Sequence, residues 1–79
     1  MIESALGTLA LVALLGGEPA LVQANWTVDG IDQGQRHALT VKKQPGRYRV
    51  CASRHGQQPR CRIADVGVHV TTTVAISLD

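Results

Sequence analysis

The segment RYRVCASRHGQQPRCRI, from Arg47 to Ile63, sets Cys51 and Cys61 ten positions apart among five arginines and no acidic residue. These residue types admit three chemistries: a disulfide, a metal site shared with histidine, or anion binding by the arginines. A redox pair wants two residues between its cysteines, and a structural zinc site wants four ligands. Only a partial set of Cys51, His55 and Cys61 can be drawn, with His37 or His69 as a fourth ligand, and no spacing fixes a tetrahedron. The expectation is a structural disulfide, with no metal and no cofactor.

Register supports the same choice. Period-two alternation puts Tyr48, Val50 and Ala52 on one face of a strand and Arg47, Arg49, Cys51 and Ser53 on the other. In the returning run, Ala64, Val66, Val68 and Val70 share a face, opposite Cys61, Ile63, Asp65 and Gly67. Setting Cys51 across from Cys61 sets Tyr48 across from Ala64 and Arg47 across from Asp65. One register thus satisfies a crosslink, an apolar face and an ion pair, whereas a slip of one residue would oppose apolar and polar faces. Opposed positions also meet the Cα separation that a disulfide needs.

The arginines belong to a longer basic block, Lys42, Lys43, Arg47, Arg49, Arg54, Arg60 and Arg62, uninterrupted by any acid. Its loop, Arg54 to Pro59, carries donors suited to carboxylate or phosphate, and arginine and glutamine can also meet base edges. The aromatic interleaving of a single-strand-binding surface is missing, because only Tyr48 lies in the block and it falls on the core face. A basic surface also keeps a small sheet protein soluble and guards its edges. The partner expected is therefore another protein or further copies of this chain. An acidic or phosphate-bearing surface comes next, and nucleic acid last.

Catalytic arrangements do not emerge. None of Ser4, Ser53 and Ser77 sits in a Gly-x-Ser-x-Gly turn, and a triad of Ser53, His55 and Asp65 lacks any spacing that builds its geometry. The acids beyond residue 24, Asp29, Asp32, Asp65 and Asp79, are too scattered for paired-carboxylate hydrolysis. No dinucleotide or phosphate-cradling fingerprint occurs. The chain is read as non-enzymatic. Asn25-Trp26-Thr27 matches the N-glycosylation acceptor, and Trp26 is a bulky anchor for the core or, failing that, for a subunit contact.

Two regions must position these groups. Residues 5–17, ALGTLALVALLGG, are thirteen uncharged positions, short of the roughly 20 that span a membrane. Their length and the Val22-Gln23-Ala24 run fit a secretory signal, against an acidic Met1-Ile2-Glu3-Ser4 start. A retained apolar helix is the next reading, because leucine and alanine favour it, and a first strand or interface-lying segment is the third. Residues 1–24 are thus read as an apolar leader and residues 25–79, with eight basic and four acidic residues, as a small all-β domain.

In that domain Asp29-Gly30 and Pro45-Gly46 signal turns, although Asp32 to Gln35 threatens to lengthen the first into a loop. Alternating runs cover Asn25 to Val28, His37 to Val41, Arg47 to Ser53, Cys61 to Val70 and Thr73 to Leu78, with Trp26, Tyr48, Val50 and Val66 as core or subunit anchors. The expected fold is mainly β, a small antiparallel sandwich or partial barrel with a disulfide-stapled hairpin. A chain of 79 residues buries only about 60% of its unfolded surface, so a staple or partner is needed. The disulfide places it in an oxidising setting, secreted, periplasmic or virion-associated, in a structural or interaction role. A small basic anion-binding or nucleic-acid-binding module is the rival. Self-association follows if the apolar segment is retained.

Overall fold

A computed structural model describes residues 5–19, 23–54 and 56–78. The acidic start at residues 1–4, Val22, His55 and Asp79, all used in the sequence reading, lie outside them. Among the described residues eight strands follow one another: β1 (Gly7–Leu15), β2 (Glu18–Pro19), β3 (Ala24–Val28), β4 (Ile31–Arg36), β5 (Ala38–Lys43), β6 (Gly46–Ser53), β7 (Arg60–Val66) and β8 (Thr71–Ser77). The fold is mostly β, as the alternation suggested, and the described strands form two small sheets; the five expected runs did not include β1 and β2.

The segment expected as a leader or a retained helix forms β1, a nine-residue strand at the centre of the first sheet. It pairs antiparallel with β5 and parallel with β8, and it forms a short hairpin with β2. Leu9, Leu11 and Ala13 are buried, while Thr8, Ala10, Val12 and Leu14 are half-buried. Both phases of the strand are almost entirely apolar, so its period of two is invisible in the sequence. Tertiary pairing overrides the helical preference of leucine and alanine.

The second sheet has the order β4-β3-β6-β7, antiparallel throughout. The turn from β3 to β4 is tight. Asp29 and Gly30 both take positive φ (51° and 81°), as a two-residue type I′ hairpin requires, and Val28 faces Ile31 directly. Asp32 to Gln35 is therefore strand and not loop, with a bulge across from Trp26 and Thr27. Asp32 Oδ1 accepts the Gly34 N–H there at 2.9 Å, and Gly34 takes φ 90°.

The chain crosses from one sheet to the other at His37, at Gln44-Pro45 and at Gly67 to Val70. Two expectations fail at these crossings. The alternation from Cys61 stops at Val66, because His69 takes positive φ (56°) in a turn and Val68 and Val70 are exposed. His37 and His69 consequently lie between strands and not within them.

The inner faces of the sheets meet in one core. Leu9, Leu11, Val74, Ile76 and Leu78 come from the β1 side, and Trp26, Val28, Val50, Ala52, Ala64 and Val66 from the other. Trp26 is fully buried, and its indole Nε1–H donates to the Arg36 carbonyl at 2.8 Å, which satisfies its polar end.

The start of β1 is held tightly against the crossing from β7 to β8. The Leu6 carbonyl accepts the His69 N–H at 3.1 Å, and the Thr8 N–H donates to the Val70 carbonyl at 2.9 Å. A methyl group on Gly7 would overlap the Gly67 carbonyl oxygen and the Val66 Cγ1. Gly7→Ala is expected to cost about 1–3 kcal/mol through forced displacement of backbone, lowering the melting midpoint by roughly 5–20 °C in a circular-dichroism melt. An unchanged midpoint would show that β1 does not begin against this turn.

Candidate interaction surface

The hairpin of β6 and β7 carries most of the residues singled out by type. Its register runs Gly46 with Val66, Arg47 with Asp65, Tyr48 with Ala64, Arg49 with Ile63, Val50 with Arg62, Cys51 with Cys61 and Ala52 with Arg60. Cys51 and Cys61 form a disulfide, with Cα atoms 4.0 Å apart. Arg47 Nε lies 3.2 Å from Asp65 Oδ1, but both side chains are about three-quarters exposed, so solvent screening leaves the pair little energy. The ladder gives Tyr48, Val50, Ala52, Ala64 and Val66 the inner face. Val50 and Val66 are buried and Tyr48 is half-buried, its hydroxyl donating to the Gln44 carbonyl.

The basic block, contiguous in sequence, is dispersed by the fold. Lys42 reaches across the outer face of the β1 sheet and donates to Thr8 Oγ1 at 2.7 Å. Lys43 sits 5.8 Å from the centroid of the Tyr48 ring, within range of a cation–π contact. Arg47 and Arg49 occupy the outer face of the other sheet, where Asp29 Oδ1 accepts the Arg49 backbone N–H at 2.8 Å. Arg54, Arg60 and Arg62 gather near the hairpin tip.

Arg54 and Arg60 flank an open recess of about 570 Å³ that also takes in Gln57, Gln58 and Pro59 of the loop. Its apolar wall is Leu15 at the end of β1 and Leu78 just past β8. The loop turns on a Gln57 N–H to Arg54 carbonyl bond of 3.0 Å. The strands on either side of the loop are crosslinked three residues before Arg54 and one residue after Arg60, which holds the mouth of this recess. Sequence reasoning identified the arginines but missed Leu15 and Leu78, because only the tertiary fold brings the ends of β1 and β8 beneath the loop.

A smaller groove of about 330 Å³ lies beside the disulfide on the outer face, lined by Asn25, Thr27, Arg49 and Ser53. Asn25 of the glycosylation triplet is half-buried in mid-strand there. Ser53 lies at the tip end of the hairpin and Asp65 at the opposite end of its ladder, so these two members of the conceivable triad are not brought together. Among the described residues no three His, Cys, Asp or Glu side chains converge as a metal would require. No helix among them is long and apolar enough to cross a membrane.

No protein-family model matches the chain, and no curated protein matches it.

Proposed function

We propose that this chain is a non-enzymatic structural or protein-interaction module, working in a secreted, envelope or virion assembly, that presents its stapled basic loop to an acidic protein surface. The observation that carries the reading is the disulfide at the base of the loop whose Arg54 and Arg60 frame the recess. A crosslink there removes loop freedom before binding, so less ordering entropy is lost when a partner docks. Two guanidiniums beside Gln57, Gln58 and an apolar wall suit carboxylate side chains on a protein. The disulfide also favours an oxidising compartment.

Labelled polyglutamate and mixed-sequence single-stranded DNA and RNA, titrated against the oxidised protein over a salt series, test this. The expected result is binding to polyglutamate that weakens at least tenfold when Arg54→Ala and Arg60→Ala are combined, with no nucleic-acid binding at low salt. Nucleic-acid affinity that falls steeply with salt would instead favour a general anion-binding module. Polyglutamate binding indifferent to both substitutions would remove the loop from the function.

A further inference from the structure

The edge strands β7 and β8 of the two packed sheets run beside each other, yet no ladder pairs them among the described residues. They leave the crossing at Gly67 to Val70 as neighbours, tied near it by Thr72 Oγ1 donating to the Asp65 carbonyl at 2.7 Å. Beyond that tie a gap follows both strands toward the hairpin tip. Its first part, about 410 Å³, lies between Arg62 to Asp65 and Thr72 to Ala75, and its second, about 310 Å³, lies between Arg60 to Arg62 and Ile76 to Ser77.

The ladders on either side decide which backbone groups face this gap. The Asp29 N–H donates to the Arg49 carbonyl, so Cys51, one pair further along the alternation, spends its backbone groups on β3. Cys51 and Cys61 therefore form a non-hydrogen-bonded pair, consistent with their close Cα atoms. Cys61, Ile63 and Asp65 accordingly turn their backbone groups away from β6, and the Thr72 bond to the Asp65 carbonyl agrees. Across the gap, the bonds from Thr8 N–H to Val70 and from Leu78 N–H to Leu14 show that even-numbered residues of β8 serve β1. Thr71, Thr73 and Ala75 then point toward β7. The gap is thus bordered by two strand edges offering N–H and C=O groups to whatever lies between.

Charge at this gap is one-sided. Arg60 and Arg62 line it, and the one carboxylate among its described lining residues, Asp65, has Arg47 3.2 Å away. We infer that the gap between β7 and β8 is a strand-addition site for an extended acidic peptide segment of a partner protein, which pairs with Cys61 and Ile63 on one side and Thr73 and Ala75 on the other. Such a strand would join the two sheets into one continuous surface and set its acidic side chains against Arg60 and Arg62. Main-chain bonds supply affinity in this mode and alternate side chains supply selectivity. The inference rests on the interaction reading for the partner's charge; its own content is the place and mode of binding.

A blocked seven-residue peptide alternating threonine and glutamate is the probe, compared with the same peptide N-methylated at alternate residues and with a threonine-lysine version. The expected result is that only the unmethylated acidic peptide binds well, the others being at least tenfold weaker. The amide resonances of Cys61, Ile63, Thr73 and Ala75 shift and exchange with solvent at least tenfold more slowly. Arg62→Ala, which leaves the loop recess intact, weakens it several-fold. No binding, or shifts confined to the edges of β4 or β5, overturns the inference. Equal binding by the methylated peptide that is lost with Arg54→Ala also overturns strand addition, while leaving the loop reading in place.

Discussion

A chain beginning at Asn25 will not fold as a monomer. β5 and β8 each pair with β1 and with no other described strand, so removing residues 1–24 deletes the middle of the first sheet and leaves both neighbours without a ladder. The core loses Leu9 and Leu11, each fully buried or nearly so, and burial of such a side chain contributes about 1.5–3 kcal/mol. A domain of this size has roughly 4–12 kcal/mol of stability in total. Residues 25–79 alone should show no cooperative thermal transition and a red-shifted Trp26 emission typical of an exposed indole. By the same argument, the intact mass of the natural product under non-reducing conditions should include β1 and lack the two hydrogens lost on forming the disulfide. A truncated chain that melts cooperatively with Trp26 buried would show that β1 is dispensable, and would return residues 1–24 to the role of a removable leader.

Trp26→Ala is expected to unfold the protein or to bring it close to unfolding. The indole is the largest fully buried side chain among the described residues and packs among residues from both sheets, so truncation combines lost burial with a cavity that small valine and alanine neighbours cannot fill. Such changes cost about 3–5 kcal/mol. The Arg36 carbonyl also loses the donor that now reaches it. Urea denaturation monitored by circular dichroism measures the effect. Trp26→Phe separates the terms, since it keeps most of the packing and gives up the hydrogen bond, and should cost about 1–3 kcal/mol. A small loss for the alanine variant would mean that Trp26 is not the centre of the core.

The stapled hairpin was legible because its two strands alternate cleanly and its landmarks agree. Cysteines, apolar face and one oppositely charged pair all demand the same register, and slipping it would expose the valines. The Asp29-Gly30 turn was legible for a local reason as well, because those residues tolerate positive φ. Doubt about its length came from Asp32 to Gln35, where polar residues read as loop. Pairing with β3 and a bulge at Gln33 make that run a strand, which no local preference announces.

The candidate surface divides in the same way. Arg54, Arg60 and Arg62 stand out by type, but their grouping apart from Lys42, Lys43, Arg47 and Arg49 depends on which face of which sheet each strand presents. Leu15 and Leu78 are more than sixty residues apart along the chain and meet the loop only in space. The gap between β7 and β8 has no sequence signal at all, because it consists of backbone groups left over after other strands have paired.

The sequence by itself determined a β-rich chain, one crosslinked antiparallel hairpin in a single register, and a basic loop at its tip, since each follows from side-chain alternation or from chemistry within a short stretch. Only the tertiary structure decided that the apolar segment before residue 16 is a central strand, that there are two sheets, and that β7 and β8 run beside each other unpaired. The physical reason is that an apolar run with both phases hydrophobic carries no period of its own. Its conformation is set by the partners that satisfy its backbone, and those partners lie far along the chain.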